Sequence, residues 1–488
     1  MSRKRVEKDF RITNYGVDDS VTGTSVMVEV DGLKILMDCG MYQDSTKTAK
    51  ESFKINIKSK NKIPFSEIDA VIVGHLHCDH CGFLPSLFRD DVGFKGNVYT
   101  IDISAPFISM VCCDSAFIQS EQCKSYNKKS KKDELLPIFT MSEAEQVINH
   151  IRCYNYNTKI WLNDKVYFEM IPNGHIIGSA SIYLTYMKDE YTERHLLFTS
   201  DFNYNPKIKR PFTKSWNYDE ILEPDIIITE STYGDRLHKW IDPEKELEKH
   251  IINEVLNKNN VLLIPAFSIS RSTQLASMIK HIYDKHDELY KKQIPVYLVG
   301  RMTVMAHDII GRESSKQYID EEWHKDYDVF RWKQIQKINK FSDVEDKLTN
   351  SIPKIIIVSG GMGSASSLYL LQELIDKKWL SVLPSGYSGI GTPVRSVIEA
   401  NENNRDTVSL QGKRKKLNAT ILQSLEMSGH SDYKQICQMI MSCNQKKLKN
   451  IILVHGDDNA KNNLKEEIKL RIKDVDVRIP KNNETIKL

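Results

Sequence analysis

Short apolar runs that end on a chemically capable side chain recur along the chain. "IDAVIVGH" (68–75), "KVYFEMIPNGH" (165–175) and "NIILVH" (450–455) run into histidine, "HLLFTSD" (195–201) into aspartate and "PDIIITE" (224–230) into glutamate. Each has the length and apolar density of a buried strand. Strands that deliver polar side chains at one end are how open sheets build active sites. Upstream, "VTGTSVMVEVDGLKILMD" (21–38) predicts two strands joined by a tight turn at Asp31-Gly32.

Between residues 236 and 420 the pattern changes to helices alternating with strands. "KELEKHIINEVLNK" predicts a helix, "VLLIPAF" a strand, a second helix follows Ser270, and "IPVYLVG" and "PKIIIVSGG" predict further strands. Such alternation is the signature of an α/β unit with a parallel sheet.

Composition narrows the classes. The 488 residues leave room for two or three domains, and 40% hydrophobic with 27% charged residues is a globular balance. A formal net charge of +3, from 68 basic and 65 acidic residues, carries no argument for nucleic acid, so any basic surface must be local. The basic segments "KSYNKKSKKDE" (124–134), "KIKRPFTK" (207–214) and "KRKK" (413–416) read first as solvated faces. "MSRKRVEKDFRI" has charge where a signal peptide needs an apolar core, and no apolar run is long enough to cross a bilayer. The expectation is an intracellular chain with no membrane partner, cytoplasmic, or nuclear in a eukaryote. Nine cysteines with a single CxxC suggest neither a disulfide framework nor a four-cysteine zinc site.

"GHLHCDHCG" (74–82) admits two readings, HxHxDH or CxxC. An extended backbone at 74–77 sends His75 and His77 to one face, and Asp79 and His80 follow where the chain turns, so one loop can serve two neighbouring ions. Imidazole and carboxylate suit zinc and admit manganese or iron. His175, Asp201 and His455 stand at the ends of other strands and complete such a set, with Asp201 able to bridge two cations. Cys78 and Cys81 find no partners in the sequence and are read as spectators. Two divalent ions offset by Asp79, Asp201 and hydroxide leave residual positive charge, which attracts an anionic phosphodiester.

Taken together, "ILMDCG", "HLHCDHCG", "PNGHIIGSAS" and "FTSDF" resemble the first four motifs of the metallo-β-lactamase fold. "ITESTYGDR" (228–236), "MSGHSDY" (427–433) and "LVHGDDNAK" (453–461) resemble motifs A, B and C of the β-CASP nucleases. The resemblance implies an α/β protein: a metallo-β-lactamase αββα sandwich over 1–234 and 426–488, with a β-CASP domain inserted at 235–425. It also implies two zinc ions, one on His75, His77 and His175, the other on Asp79, His80 and His455, bridged by Asp201. His430 would be the general acid, positioned by Glu230, with Asp79 also in the catalytic set and Asp38 ordering the histidine loop.

The activity so implied is hydrolysis of single-stranded RNA by metal-bound hydroxide, endonucleolytic, leaving 5′-phosphate and 3′-hydroxyl ends. A 5′ to 3′ exoribonuclease, a non-catalytic β-CASP partner subunit and a small-ester hydrolase are the alternatives, and the chain would work as a homodimer or beside a β-CASP partner. In the inserted domain Arg271 either contacts RNA phosphate or simply follows helix initiation by Ser270. "SGGMGS" (359–364) is either a phosphate cradle or a glycine turn. "LVGRMTVMA" (298–306) lacks the Asp-Ser-Pro-like turn of many relatives, which puts substrate specificity in doubt.

Overall fold

The computed structural model describes residues 9–130, 133–206, 210–239, 241–361, 363, 365–386 and 388–488. Parts of four sequence features, at 1–8, 131–132, 207–209 and 362 with 364, lie outside these residues. The chain forms two compact units, Met1–Leu237 with Gly429–Leu488, and His238–Ser428.

The first unit holds two seven-stranded sheets. In chain-neighbour order one is Thr485–Lys487, Arg11–Asn14, Val26–Val30, Leu33–Met37, Ala70–Ile72, Asn97–Ile101 and Ile151–Tyr154. The other is Asp476–Arg478, Asn450–Leu453, Ile226–Thr229, Thr192–Phe198, Ala180–Asp189, Val166–Pro172 and Ile160–Trp161. Their inner faces meet through aromatic contacts such as Tyr99 against Phe168, with ring centroids 5.4 Å apart. Asp31 and Gly32 both take positive φ (49° and 81°), the mirror-image turn that suits the twist of the Val26–Val30/Leu33–Met37 hairpin.

Functional side chains leave the carboxyl ends of these strands. Asp38 follows Leu33–Met37, His175 follows Val166–Pro172, Asp201 follows Thr192–Phe198, Glu230 follows Ile226–Thr229 and His455 follows Asn450–Leu453. The strand expected over 68–75 is shorter, Ala70–Ile72. Its continuation leaves the ladder because Gly74 N donates to Asp38 Oδ1 (2.7 Å) and Gly74 O accepts from Ala180 N (2.7 Å) in the other sheet. His77 keeps an extended backbone (φ −67°, ψ 150°) and precedes the one-turn helix Cys78–Cys81.

The second unit is built on a six-stranded, all-parallel sheet, ordered Ile335–Ile338, Val296–Val299, Lys354–Ser359, Val261–Ala266, Leu380–Val382 and Thr420–Ile421. Its central strands, Val296–Val299, Lys354–Ser359 and Val261–Ala266, are near-continuous apolar runs because helices cover the sheet. Leu370, Leu371 and Leu374 of Ala365–Leu374 and Val394 and Val397 of Pro393–Glu402 pack with Val261, Leu263, Ile356 and Val382. The helix expected over "KELEKHIINEVLNK" is α-helical only at Pro243–His250 and continues as the π-helix Ile251–Asn257. Glu254, on that wider turn, receives hydrogen bonds from Ser381 Oγ (2.8 Å) and Asn260 Nδ2 (3.2 Å). Among the described residues no helix is long and apolar enough to cross a membrane.

Candidate metal centre

Among the described residues four groups of ligand-type side chains lie within metal-binding reach, and the two four-membered ones share Asp201. His75, His77, His175 and Asp201 form the first, and Asp79, His80, Asp201 and His455 the second, with the donor atoms of each group within 4.8 Å of one another. Asp201 Oδ2 lies 3.4 Å from His75 Nε2 and 3.2 Å from His80 Nε2, while Oδ1 lies 3.4 Å from His455 Nε2.

The outward-facing nitrogens of these rings are already engaged. His80 Nδ1 meets Asp38 Oδ2 (2.6 Å), His175 Nδ1 donates to Gly429 O (2.9 Å), His75 Nδ1 meets Ser200 Oγ (3.1 Å) and His455 Nδ1 meets Thr24 Oγ1 (2.5 Å). A proton held at Nδ1 leaves the Nε2 lone pair free to face inward, the tautomer a metal needs. His75 Nε2, His80 Nε2 and Asp201 Oδ1 are buried without a hydrogen-bond partner. Orphaned buried polar atoms are costly, and inward-facing imidazole and carboxylate donors fit divalent cations such as zinc.

Electrostatics around Asp201 point the same way. Its burial disfavours the charged form, but the surrounding His455, His80, His430 and His75 hold its carboxyl well below the usual carboxylate range. Burial pushes the neighbouring Asp79 up to about 6 and pulls His455 down to about 3. Burial likewise holds His75 and His175 well below the ordinary histidine value, whereas at His80 burial is outweighed by Asp201, Asp38 and Asp79, which hold it well above.

Asp38, fully buried, holds the histidine loop at Gly74 N (2.7 Å) and His80 Nδ1 (2.6 Å) and also accepts from Ser200 Oγ (3.0 Å) beside Asp201. Asp38, Ser200 and His455 all have positive φ (58°, 49° and 49°), a backbone that non-glycine residues adopt at a cost. Gly40 is required by close approach, since a Cβ there would sit 1.6 Å from Asp79 O.

Beside the cluster, His430 Nδ1 lies 2.8 Å from Glu230 Oε2 and 3.8 Å from Asp201 Oδ2. Burial opposes a charged His430, but Glu230 and Asp201 outweigh it and raise its pKa to about 9. Glu230 is itself fixed by Phe202 N on Oε1 (2.9 Å) and Thr232 Oγ1 on Oε2 (2.5 Å).

Other sequence candidates fall elsewhere. Cys78 and Cys81 belong to no metal-type group among the described residues, and burial pushes both thiols far up from their ordinary value. Arg271 lies in the second unit, where NH1 donates to Ser385 O (2.9 Å) and Nε to Gln274 Oε1 (3.3 Å). The expected initiation by Ser270 takes another form: its φ is 69° and its side chain makes no capping bond. Sequence reasoning did not single out Thr24 or Gly429, and Ser200 went unremarked inside "FTSDF".

Residues 414–480 match the family Zn-dependent metallo-hydrolase RNA specificity domain, and residues 15–252 match Anti-Pycsar protein Apyc1. "Cleavage and polyadenylation specificity factor subunit 3" of Dictyostelium discoideum is 24% identical over 486 residues, 98% of this chain; the chain spans 57% of that relative's length. An "RNase J-like protein" of Methanocaldococcus jannaschii is 26% identical over 454 residues, 91% of each chain. A crystal structure of a protein of unknown function from Enterococcus faecalis V583 superposes with TM-score 0.56 at 13% identity, covering 98% of this chain and 100% of that one. Paired seven-stranded sheets with a His/Asp cluster at their strand ends are the metallo-β-lactamase fold, here interrupted by an α/β unit. Within that class, the chain is similar to β-CASP RNA-processing proteins.

Proposed function

We propose that the chain is a two-zinc endoribonuclease that hydrolyses phosphodiester bonds in single-stranded RNA, leaving 5′-phosphate and 3′-hydroxyl ends. The observation that carries this reading is the sharing of Asp201 by two donor groups, with the His430–Glu230 pair beside it. His75, His77 and His175 would hold one ion and Asp79, His80 and His455 the other, with Asp201 common to both. Ions bound there would supply charge neutralisation at the phosphate and a water acidic enough to ionise near neutral pH.

The protein's own residues account for the remaining chemistry. A water that has given one proton to solvent bonds through its oxygen to phosphorus, the bond from phosphorus to the 3′ oxygen breaks, and His430 delivers its proton to that oxygen and regains one from solvent. Glu230 keeps the imidazole charged and aimed for that transfer. Asp38, Ser200, Thr24 and the Gly429 carbonyl keep the ligand rings in the tautomer that points Nε2 inward. The first unit serves as the metallo-β-lactamase domain and His238–Ser428 as the β-CASP domain.

Purified protein given circular single-stranded RNA tests the reading, since a circle yields linear products only by internal cutting. Cleavage by wild type that falls about 10²–10⁴-fold in His430→Ala, with metal content unchanged, is the expected result. A protein that carries metal yet leaves circular and linear RNA intact would refute hydrolysis. Cutting of 5′-phosphorylated linear RNA alone would move the assignment to a 5′ to 3′ exonuclease.

A further inference from the structure

The basic run Lys413–Lys416, which reads from sequence as a solvated face, forms a β-strand. It pairs antiparallel with Thr407–Leu410. Gln411 and Gly412 join the two with positive φ (50° and 82°), the two-residue mirror-image turn that suits the twist of a hairpin. This ribbon belongs to the second unit, whereas the donors of the metal centre belong to the first.

The ribbon has two unlike faces. Its facing pairs are Thr407 with Lys416, Val408 with Lys415, Ser409 with Arg414 and Leu410 with Lys413. Side chains alternate between faces, so Val408 and Leu410, buried in the core with Val394 and Val397 of Pro393–Glu402, define the inner one. Lys415 lies half-buried on that side, and Lys413 Nζ donates to Gln372 Oε1 (3.0 Å), whose Nε2 donates in turn to Leu410 O (3.0 Å). The outer face is left to Thr407, Ser409, Arg414 and Lys416, the last three exposed. A Cβ on Gly412 would meet nothing within 4 Å, so none of the described residues packs over the turn.

Four adjacent cations repel one another, and lysine is a poor strand former, so the run works against the strand it occupies. Among the described residues none of the four has a carboxylate within ion-pair distance, although in the same unit Lys377 pairs with Asp376 (3.1 Å) and Arg395 with Glu399 (2.7 Å). The one acid between 405 and 417, Asp406, has the parity of the inner face. Lysine does protect an exposed strand edge from pairing with another chain, but one or two such residues suffice for that. Arg414 and Lys416, two residues apart, are spaced by about 6.5–7 Å along the strand. That is comparable to the separation of successive phosphates in an extended single strand. The outer face offers cations and hydroxyls with no apolar or aromatic anchor, which suits a regularly charged backbone and lacks the apolar centre of a protein interface.

We propose that the 407–416 ribbon is a second RNA-binding surface, whose outer face grips the phosphates of a single strand through Arg414 and Lys416 without reading its bases. This rests on the RNA reading above and adds a contact that the metal centre does not supply.

The test uses full-length, metal-loaded His430→Ala protein as the parent, so that bound RNA survives, and a fluorescent single strand of about 30 nucleotides as the probe. Fluorescence anisotropy across a salt series gives both the affinity and its salt slope. Adding Arg414→Gln with Lys416→Gln should weaken binding about tenfold on every sequence. It should also reduce the slope of log K against log salt by about 1.4, the contribution of two phosphate contacts on a single strand. Exchanging the cations, Arg414→Lys with Lys416→Arg, should keep the slope. The control Lys128→Gln with Lys129→Gln, an equal loss of charge at two exposed positions of the first unit, should leave both quantities near the parent's. The proposal is overturned if the ribbon variant binds like the parent, or if the control loses as much as the ribbon variant does. Displacement of the probe by polyglutamate as effectively, per charge, as by unlabelled RNA would overturn it too and assign the ribbon to acidic protein segments. A wild type that cuts no RNA, beside a parent whose RNA binding still depends on the ribbon, would bring down the hydrolytic reading and leave this surface standing. Cutting by wild type with no ribbon-dependent binding would do the reverse.

Discussion

Thr24 Oγ1 lies 2.5 Å from Nδ1 of His455 across 431 positions of sequence. The same threonine donates its backbone N–H to Asp79 O (2.9 Å) and accepts at its carbonyl from Gly40 N (2.8 Å). One residue thereby ties two members of the second donor group, Asp79 and His455, to a common strut. Removing the hydroxyl with Thr24→Val should free the His455 ring and weaken metal binding about 10–100-fold, while Thr24→Ser should stay near wild type. Competition titration against a chromophoric zinc chelator reads this directly. Equal affinity in wild type and Thr24→Val would show that the ring needs no such support.

The proton donor yields a second expectation. Glu230 is buried, and Glu230→Gln keeps its shape and its bond from Phe202 N while removing the charge that favours protonated His430. Single-turnover cleavage should slow by at least tenfold, with the alkaline limb of the rate profile moved to lower pH and metal content unchanged. An unchanged alkaline limb would mean that Glu230 does not hold the proton on His430.

Much of this was legible because the first unit advertises its chemistry at the ends of apolar strands. His75, His175, Asp201, Glu230 and His455 each close a run that period and length mark as buried strand. What stayed hidden depends on the third dimension. Thr24 sits in "TGTS", where nothing local distinguishes a ligand support from a turn threonine, and its partner comes from the far end of the chain. The positive φ of Asp38, Ser200 and His455 is imposed by tertiary packing, since none of the three is glycine. The switch from α- to π-helix at Ile251 was equally invisible, because apolar periodicity does not resolve one added residue per turn.

In the second unit, His281 sits between two carboxylates, Nε2 3.0 Å from Asp326 Oδ1 and Nδ1 3.2 Å from Glu244 Oε2. Asp326, then Glu244, raise its pKa from 6.5 to about 9 against the effect of burial. A histidine whose folded pKa is raised stabilises fully below 6.5, and that contribution is lost as pH climbs towards 9. Because the ring is partly solvated, screening holds the effect to about 1 kcal/mol. Denaturant titrations should therefore show His281→Gln costing more stability at pH 6 than at pH 9.5. A cost that does not vary with pH would assign the loss to packing alone.

The thiols of the histidine loop give the last test, because they separate the two readings that the loop's sequence allows. Cys81 is fully buried and its Sγ donates to Leu76 O (3.2 Å), which directs it away from the ligand nitrogens. Cys78 Sγ would be only 2.4 Å from a Cβ on Gly82, so it is packed against the helix's own end. Burial raises both thiols, Cys78 and Cys81, which disfavours the thiolate a metal would need. The double variant Cys78→Ser/Cys81→Ala should bind as much metal as wild type, at a stability cost of about 1–2 kcal/mol for the small cavity and altered packing. Elemental analysis of the purified variant decides it. Loss of both ions would reassign the loop to thiolate ligation, whereas unchanged metal content leaves HxHxDH as the ligand pattern.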